Sequence, residues 1–238
     1  MTGARGKRAF LLVLCAFLLL LFGGLGVWQV QRLFWKLDLI DRVDARIRAA
    51  PVAPPGTAEF ARSKAGDLEY RRVRASGSFA HDRETMVEAL TERGPGFWVV
   101  TPLRTARGVI LVNRGFVPPE RRLPATRLQA RTAGMVTVTG LLRLSEPEGR
   151  VLRANRPGED RWYSRDVAAI ARRRALGPVA PYFIDADATP SPGGVPVGGL
   201  TVVQFRNPHL VYALTWFALA ALAVAGLVLL RKPAQDDE

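Results

Sequence analysis

Cysteine and histidine are nearly missing from this sequence of 238 residues. The single cysteine, Cys15, lies within an uncharged apolar run, so the polar part of the chain has no disulfide, no thiolate metal site and no cysteine nucleophile. The two histidines, His81 and His209, are too few for a histidine-rich metal site. The polar region must therefore fold on its apolar core alone.

The sequence also lacks the common local motifs of enzymes. It has no CxxCH motif for covalent haem, no glycine-rich phosphate loop ahead of a helix, and no serine or threonine in a recognisable nucleophile context. A catalytic carboxylate pair is defined by its separation in space, so an outer-face hydrolase stays an alternative that an activity screen would test. His81 stands beside Asp82 and Arg83 in a predicted turn, and we interpret it as a surface residue.

Charge is absent from two runs of 21 residues, 10–30 and 210–230. A helix rises about 1.5 Å per residue, so each run is long enough to cross the roughly 30 Å hydrocarbon core of a bilayer. All 34 basic and 21 acidic residues lie outside these runs. The pattern excludes a soluble cytoplasmic enzyme and predicts two transmembrane helices around one polar domain.

Basic residues at both ends predict the topology. Arg5, Lys7 and Arg8 precede the first run, and Arg231 and Lys232 follow the second. Cytoplasmic segments near membrane spans carry an excess of lysine and arginine. We therefore expect both termini in the cytoplasm and the middle region on the periplasmic or outer face.

A cleavable signal peptide is the alternative for the first run, with Gly24–Gly26 as a source of small residues. The uncharged stretch is longer than the usual h-region of about 7 to 15 residues and continues into Trp28 and Gln29, which favours an uncleaved signal anchor. The eight residues before the predicted first span (9–30) are too few for a mitochondrial presequence. The composition is compatible with a bacterial chain, so we expect a bacterial plasma membrane.

The net charge of +13 is concentrated between the two runs, which enclose 29 of the 34 basic residues. Long domains cross a membrane largely regardless of charge, so this excess does not overturn the topology. We interpret it as a solvated face near anionic headgroups of membrane lipid, with a docking surface for an acidic partner as the alternative. We do not expect nucleic acid as a partner.

The expected fold class is two transmembrane helices flanking an α+β, mainly antiparallel β, extracytoplasmic domain. Leu33, Leu37, Ile40, Val43 and Ile47 recur at helical spacing, so the first helix is expected to continue as an amphipathic helix that ends before Pro51. The predicted segments are a cytoplasmic N-terminus (1–8), the first span (9–30), the amphipathic helix (31–50), a linker (51–68), the domain (69–206), the second span (207–230) and a cytoplasmic tail (231–238).

Short β-branched runs between glycines and prolines predict the strands of the domain. We expect mostly antiparallel strands near Tyr70–Phe79, Thr85–Leu90, Phe97–Leu103, Val109–Val117, Met135–Leu144, Pro181–Asp185 and Thr201–Phe205. One helix is expected over Ser164–Leu176, with Gly177 as its stop, and it would cover one face of the sheet.

His209 lies at the mouth of the second span. Asn207 is expected as the helix N-cap, Pro208 as the first helical residue and His209 as the second. The positive end of the helix dipole favours a neutral imidazole that is able to bind a metal.

Tyr212 and Trp216 follow His209 on the same stripe, and Trp28, Arg32 and Trp35 form an aromatic and cationic stripe on the first helix. Together these residues suit a flat amphipathic ligand. The residue chemistry leaves a simpler interpretation open, because tryptophan and tyrosine are enriched at membrane interfaces and arginine at helix ends often reaches for headgroups.

Four strings of residues resemble the Surfeit locus protein 1 family in the same order. They are Gly26, Trp28, Gln29, Arg32, Trp35 and Lys36; then Gly94, Gly96, Val99, Thr101, Pro102, Leu103 and Gly108 with the run LVNRGFVP at 111–118; then Arg161, Trp162, Tyr163, Arg165 and Asp166; and finally Asn207, His209, Leu210, Tyr212, Ala213, Leu214, Thr215 and Trp216. The chain departs from the family pattern at Phe97 and Phe116, and nothing in 51–67 matches it.

The resemblance implies a non-enzymatic factor that assists assembly of haem–copper cytochrome c oxidase. It implies haem a as a carried cofactor, with haem a synthase as the source and the catalytic subunit of the oxidase as the recipient. His209 becomes the candidate axial ligand of the haem iron, and Tyr212, Trp216, Trp28 and Arg32 become candidate cofactor-binding residues.

The remaining motif residues are assigned to structure or partner contact. They are Gly94, Pro102, Asn113, Arg114, Gly115, Trp162 and Asp166. Asn113 and Gly115 tolerate turn or bulge geometry, and Arg114 is expected to pair with a carboxylate beneath the sheet.

Two alternatives of other classes remain. An extracytoplasmic ligand-binding sensor, or an anchored interaction protein without haem, suits two spans around an outer domain, but eight residues at one end and six after Lys232 provide no output domain. A copper chaperone lacks soft ligands, because the domain has no cysteine and only Met86 and Met135.

Reporter fusions test the predicted topology. Reporters placed at residue 4 and after Leu230 should report the cytoplasm, and one placed at Ser191 should report the outer side, because basic residues adjoin both ends. A periplasmic signal from the reporter after Leu230 would contradict the prediction.

Overall fold

The computed structural model describes residues 2–150, 152–203 and 205–231. These residues form two compact units, one within 1–42 and 204–238 and the other at 43–203, which we call the β-domain. The helices are α1 (Thr2–Arg48), α2 (Thr57–Arg62), α3 (Ala65–Leu68), α4 (Val167–Arg173) and α5 (His209–Arg231). The strands are β1 (Arg72–Phe79), β2 (Thr85–Thr91), β3 (Gly94–Thr105), β4 (Gly108–Val117), β5 (Val136–Leu144), β6 (Gly149–Arg150), β7 (Arg153–Ala154) and β8 (Val179–Ala186).

Helix α1 continues without a break from the first apolar run into the amphipathic segment and ends at Arg48, which confirms the predicted continuation and its end before Pro51. Helices α1 and α5 are both long and apolar enough to cross a membrane, by length and composition. The two apolar helices therefore flank a β-rich domain along the sequence.

The β-domain is built on a small closed barrel. Five strands follow one another around it in the order β1, β5, β8, β4, β3, and β3 returns to β1 through the pairs Ser78–Arg104 and Phe79–Leu103. Strand β2 pairs with β3 outside the closed ring. All these pairings are antiparallel except β4 with β8, which is parallel. A parallel pair needs a long crossover, and the chain between β4 and β8 contains β5 and α4.

Alternation along the strands separates two cores. Side chains that face into the barrel form one cluster of buried residues, which includes Val73, Ala75, Leu103, Ile110, Leu142, Tyr182 and Ile184. The intervening residues Leu111 and Phe183 face the other way and pack with Val167 and Ile170 of α4. Helix α4 therefore covers one outer face of the barrel, as the sequence predicts.

Three predicted segments need correction. Residues 201–203 and 205 are not a strand, because the end of β4 is already bridged to Val197 and Thr201 is held by its side chain. The predicted linker contains α2 and α3, and Val52 pairs with Val73.

Helix α4 is shorter than Ser164–Leu176. It begins after Asp166, whose carboxylate accepts a hydrogen bond from the Ala169 amide, and it ends at Arg173 rather than near Gly177. An acidic N-cap of this kind sets the start of a helix, and Ala175 with a φ of 50° lies outside it.

Gly115 of β4 has a φ of 129°, and a Cβ atom there would lie 2.2 Å from the carbonyl oxygen of Val197. We predict that Gly115→Ala destabilises the protein by about 3 kcal/mol, because strain and a backbone clash add together. Gly134→Ala is the matched control, since Gly134 has a φ of 78° and open space around it; its expected cost is about 1 kcal/mol. Urea unfolding of the purified full-length protein measures both, and equal losses would contradict the clash.

Candidate functional site

Helices α1 and α5 pack antiparallel. The ring of Phe22 stacks on that of Trp216, with centroids 5.7 Å apart. A Cβ atom at Gly26 would lie 2.6 Å from the Phe217 ring, so glycine allows the close approach. Phe22, Gly26 and Gln29 recur at helical spacing and define the face of α1 that meets α5.

His209 is held at this face by a polar contact. Its Nδ1 atom lies 2.8 Å from Oε1 of Gln29, a side chain that is only 8% exposed. An amide oxygen only accepts hydrogen bonds, so Nδ1 carries the proton and donates it. When the ring is uncharged, its lone pair is then on Nε2, which is the tautomer that binds a metal through Nε2.

The start of α5 differs from the prediction by one residue. The amide of Tyr212 donates to the carbonyl of Pro208, so Pro208 is the N-cap and His209 is the first helical residue. The Oδ1 atom of Asn207 is buried without a hydrogen-bond partner among the described residues. Asn207 therefore does not cap the helix, because it lies one residue too early to reach the free amides of the first turn.

The other predicted binding residues lie at different parts of this helical pair. Trp216 packs against Phe22, whereas Tyr212 and Trp28 are 52% and 53% exposed. The guanidinium carbon of Arg32 lies 4.2 Å from the ring centroid of Trp35. At about 100° per residue, the stripe of Trp28, Arg32 and Trp35 is roughly a third of a turn from the face of Gln29. His209 therefore forms its hydrogen bond with Gln29 and not with a residue of that stripe.

Gln29 is the residue whose role the sequence interpretation missed. It belongs to the opening string of the family, and it is the one amide side chain in the apolar run 10–30. An amide in such a run needs a hydrogen-bond partner inside the protein, because lipid offers none. That requirement was the available signal.

Asp185 is the polar centre of the β-domain. It is 3% exposed, and its carboxylate accepts hydrogen bonds from four side chains, namely Asn113, Arg143, Arg165 and Thr201. Arg165 also donates to Glu146. Burial disfavours the charged guanidinium, but the Asp185 and Glu146 carboxylates prevail and raise the pKa of Arg165.

Arg114 is buried, but it does not pair with the expected carboxylate. It donates to the carbonyl of Ala130, and its guanidinium lies over the ring of Phe79 at 4.9 Å. Burial lowers the pKa of Arg114 to about 10. The barrel interior offers a carbonyl and an aromatic face at this position, and the nearby Glu84 is already bound by Arg127.

His81 is not a free surface residue, which corrects the interpretation from the sequence. Its Nε2 lies 3.1 Å from the carbonyl of Thr132, and its Nδ1 lies 3.5 Å from Nη1 of Arg114. In the neutral ring Nε2 donates to Thr132 and Nδ1 accepts from Arg114. Partial burial lowers the pKa of His81, and the Arg114 charge acts in the same direction.

The remaining motif residues have structural contacts. Gly94 takes a φ of 90° at the start of β3, and the carbonyl of Pro102 accepts from the Ala80 amide. Asn113 Oδ1 accepts from the Gly115 amide, and Trp162 is 1% exposed with its Nε1 donating to Asp160. Among residues 2–150, 152–203 and 205–231, no three His, Cys, Asp or Glu side chains gather as a metal site.

Comparison with known proteins gives one consistent result. The sequence model of the SURF1 family matches residues 16–221 of this chain. Surfeit locus protein 1 of Rattus norvegicus is 40% identical over 215 residues, covering 83% of this chain and 68% of the relative. The Homo sapiens protein of that name is 39% identical, covering 83% and 70%. A SURF1-like protein of Monosiga brevicollis is 37% identical, covering 88% and 83%.

The His81 contacts predict a pH dependence of stability. Unfolded His81 takes up a proton below about pH 6.5, whereas the folded state resists protonation because its pKa is lowered. The unfolded state then binds more protons, so stability is full above that pH and falls as the pH drops through the folded pKa. Thermal unfolding at pH 8 and pH 5 should show a larger loss for the wild type than for His81→Gln. Equal losses would show that His81 does not titrate in this way.

Proposed function

The chain belongs to the SURF1 family, and on that basis we propose that it is a non-enzymatic assembly factor for haem–copper cytochrome c oxidase. In this proposal it receives haem a from haem a synthase and assists its insertion into the catalytic subunit of the oxidase. Haem a is the cargo, and it supplies the redox-active iron that the oxidase later uses.

The observation that supports the haem part is the hydrogen bond between His209 Nδ1 and Gln29 Oε1. Gln29 selects the ring tautomer and fixes its orientation, so that Nε2 presents a lone pair. A neutral imidazole is the common protein ligand of haem iron. An outer partner on the second ring nitrogen is also the usual arrangement behind a histidine ligand. The residues present therefore fit an axial ligand at His209.

Exposed side chains elsewhere on the helical pair suit a large flat ligand. Tyr212 and Trp28 expose more than half of their surfaces, which provides aromatic area for contact with a macrocycle. Arg32 is exposed, and a guanidinium forms strong bidentate pairs with carboxylates such as haem propionates. Trp216 contributes through its stack on Phe22, which holds α5 against α1 near the ligand.

The two apolar helices and their basic ends support a proposal for the location. We propose that both helices cross a bacterial plasma membrane, with both termini in the cytoplasm and the β-domain on the outer face. The basic excess of the region between the spans suits contact with anionic membrane lipid. The catalytic subunit of the oxidase and haem a synthase are the proposed protein partners.

The ligand assignment predicts how variants bind haem. His209→Ala should leave the protein folded and inserted but remove most of the bound haem a, since the iron loses its ligand. Gln29→Leu should weaken binding by roughly 10- to 100-fold and shift the iron–histidine stretching frequency, because loss of an outer partner changes ligand basicity. Trp216→Phe should have a smaller effect, because packing on Phe22 survives in part. Haem content, absorption spectra and resonance Raman spectra of protein purified from haem a-producing cells measure these effects.

Thr215→Val is the control, because Thr215 is exposed on α5 and its hydroxyl bonds only to the Val211 carbonyl of the same helix. Its haem content should equal that of the wild type. If the wild type carries no haem, or if His209→Ala keeps all of it with an unchanged spectrum, His209 is not the ligand. The assembly role would then have to depend on protein contacts alone.

A further inference from the structure

The β-domain contains a cavity of about 360 Å³ at one end of the barrel. The turn between β3 and β4, the start of β8, the middle of β1 and residues 53–57 surround it. We call it the barrel-end cavity. Its volume lies near the lower end of the roughly 300–1,000 Å³ that pockets for small ligands occupy.

The floor of the barrel-end cavity is apolar. Three lining residues belong to the buried core inside the barrel, namely Ala75, Ile110 and Tyr182. Pro55 also lines the cavity. The Tyr182 hydroxyl donates to the Pro55 carbonyl at 2.6 Å, so this polar group is already satisfied. A ligand part that contacts this floor gains by being apolar, because it finds no free hydrogen-bonding group there.

The charge at the cavity has one sign. Arg74 and Arg107 are its only charged lining residues, both are exposed, and neither side chain has a hydrogen-bond or ion-pair partner within the described part of the chain. A second cavity of about 370 Å³ near Asp185 is different, because Arg143 and Arg165 there are held by Asp185. Among the described residues no carboxylate pairs with these two guanidinium groups, so both are open to an external anion.

We propose that the barrel-end cavity binds an amphipathic anion, with an acyl chain on the apolar floor and an anionic head group on Arg74 and Arg107. Guanidinium groups bind carboxylate and phosphate oxygens through short, charge-assisted hydrogen bonds. A free fatty acid and an anionic membrane lipid share this chemistry. The site is independent of His209 and of the proposed haem binding.

Photo-crosslinking of the full chain tests the proposal. The protein is placed in nanodiscs of neutral phosphatidylcholine and exposed to a diazirine-bearing decanoic acid, with the corresponding fatty alcohol as the uncharged probe. A second arm replaces the free acid with a diazirine-bearing phosphatidylglycerol in the nanodisc. Mass spectrometry then maps the labelled residues, and labelling is followed against probe concentration.

The variants separate charge recognition from simple burial of a chain. Arg74→Gln with Arg107→Gln removes both cations, and Ala180→Phe fills the cavity with a ring. Arg93→Gln is a matched control, because Arg93 occupies the same place in the turn 91–94 as Arg107 in the turn 105–108. In both turns the threonine hydroxyl donates to the glycine carbonyl and accepts from the arginine amide. Arg93 does not line the cavity.

We expect saturable labelling of residues around the cavity by the acid or by the anionic lipid, and the arm that labels identifies the source. The alcohol should label weakly. The double arginine variant should need at least about tenfold more probe than the wild type for the same extent of labelling. Arg93→Gln and His209→Ala should label like the wild type, so failure of the haem proposal leaves this result unchanged. Labelling confined to the spans, or equal labelling of the double variant and the wild type, would overturn the proposal.

Discussion

The buried carboxylate of Asp185 is the interaction on which the β-domain depends. A charge at 3% exposure costs several kcal/mol unless it is paired and hydrogen-bonded. Asp185 meets that requirement with partners from β4, from β5, from the segment before α4 and from the segment after β8. These partners come together only when β8 lies between β4 and β5, so satisfaction of one carboxylate requires the same strand order that joins the two parts of the barrel.

The string LVNRGFVP at 111–118 is explained mainly by this barrel. Val112 faces the barrel interior and Leu111 packs with the residues of α4. Asn113 donates to Asp185, and Gly115 has no Cβ atom to block the carbonyl of Val197. Arg114 turns inward to a carbonyl and to His81. The most specific family signature in the chain thus reports the fold, whereas the chemistry proposed for the family depends on residues elsewhere. Fold and function are separable in this way in many proteins.

The pair formed by α1 and α5 obeys a different constraint. In a helix that crosses a membrane, lipid cannot satisfy an amide, so such an amide needs a partner within the protein. His209 is the partner of Gln29. The close approach at Gly26 makes the contact possible. The same hydrogen bond that removes the cost of a polar residue in an apolar helix also leaves one imidazole nitrogen free. The structural requirement of Gln29 and the ligand role proposed for His209 therefore depend on the same contact.

The sequence by itself determined the structural features that depend on a single segment of the chain. The two uncharged runs, the continuation of α1 to Arg48, six of the seven strands and the position of α4 follow from local periodicity and from glycine and proline signals. Tertiary structure decided what periodicity leaves open. Four features depend on residues far apart in the chain: the parallel pairing of β4 with β8, the closure of β3 on β1, the partner of Gln29 and the absence of a strand at 201–203. Asn113 and Asp185 are 72 positions apart, and Gln29 and His209 are 180 apart. A local sequence pattern predicts whether a side chain is buried or polar. Only the folded chain provides the group with which that side chain packs or forms a hydrogen bond.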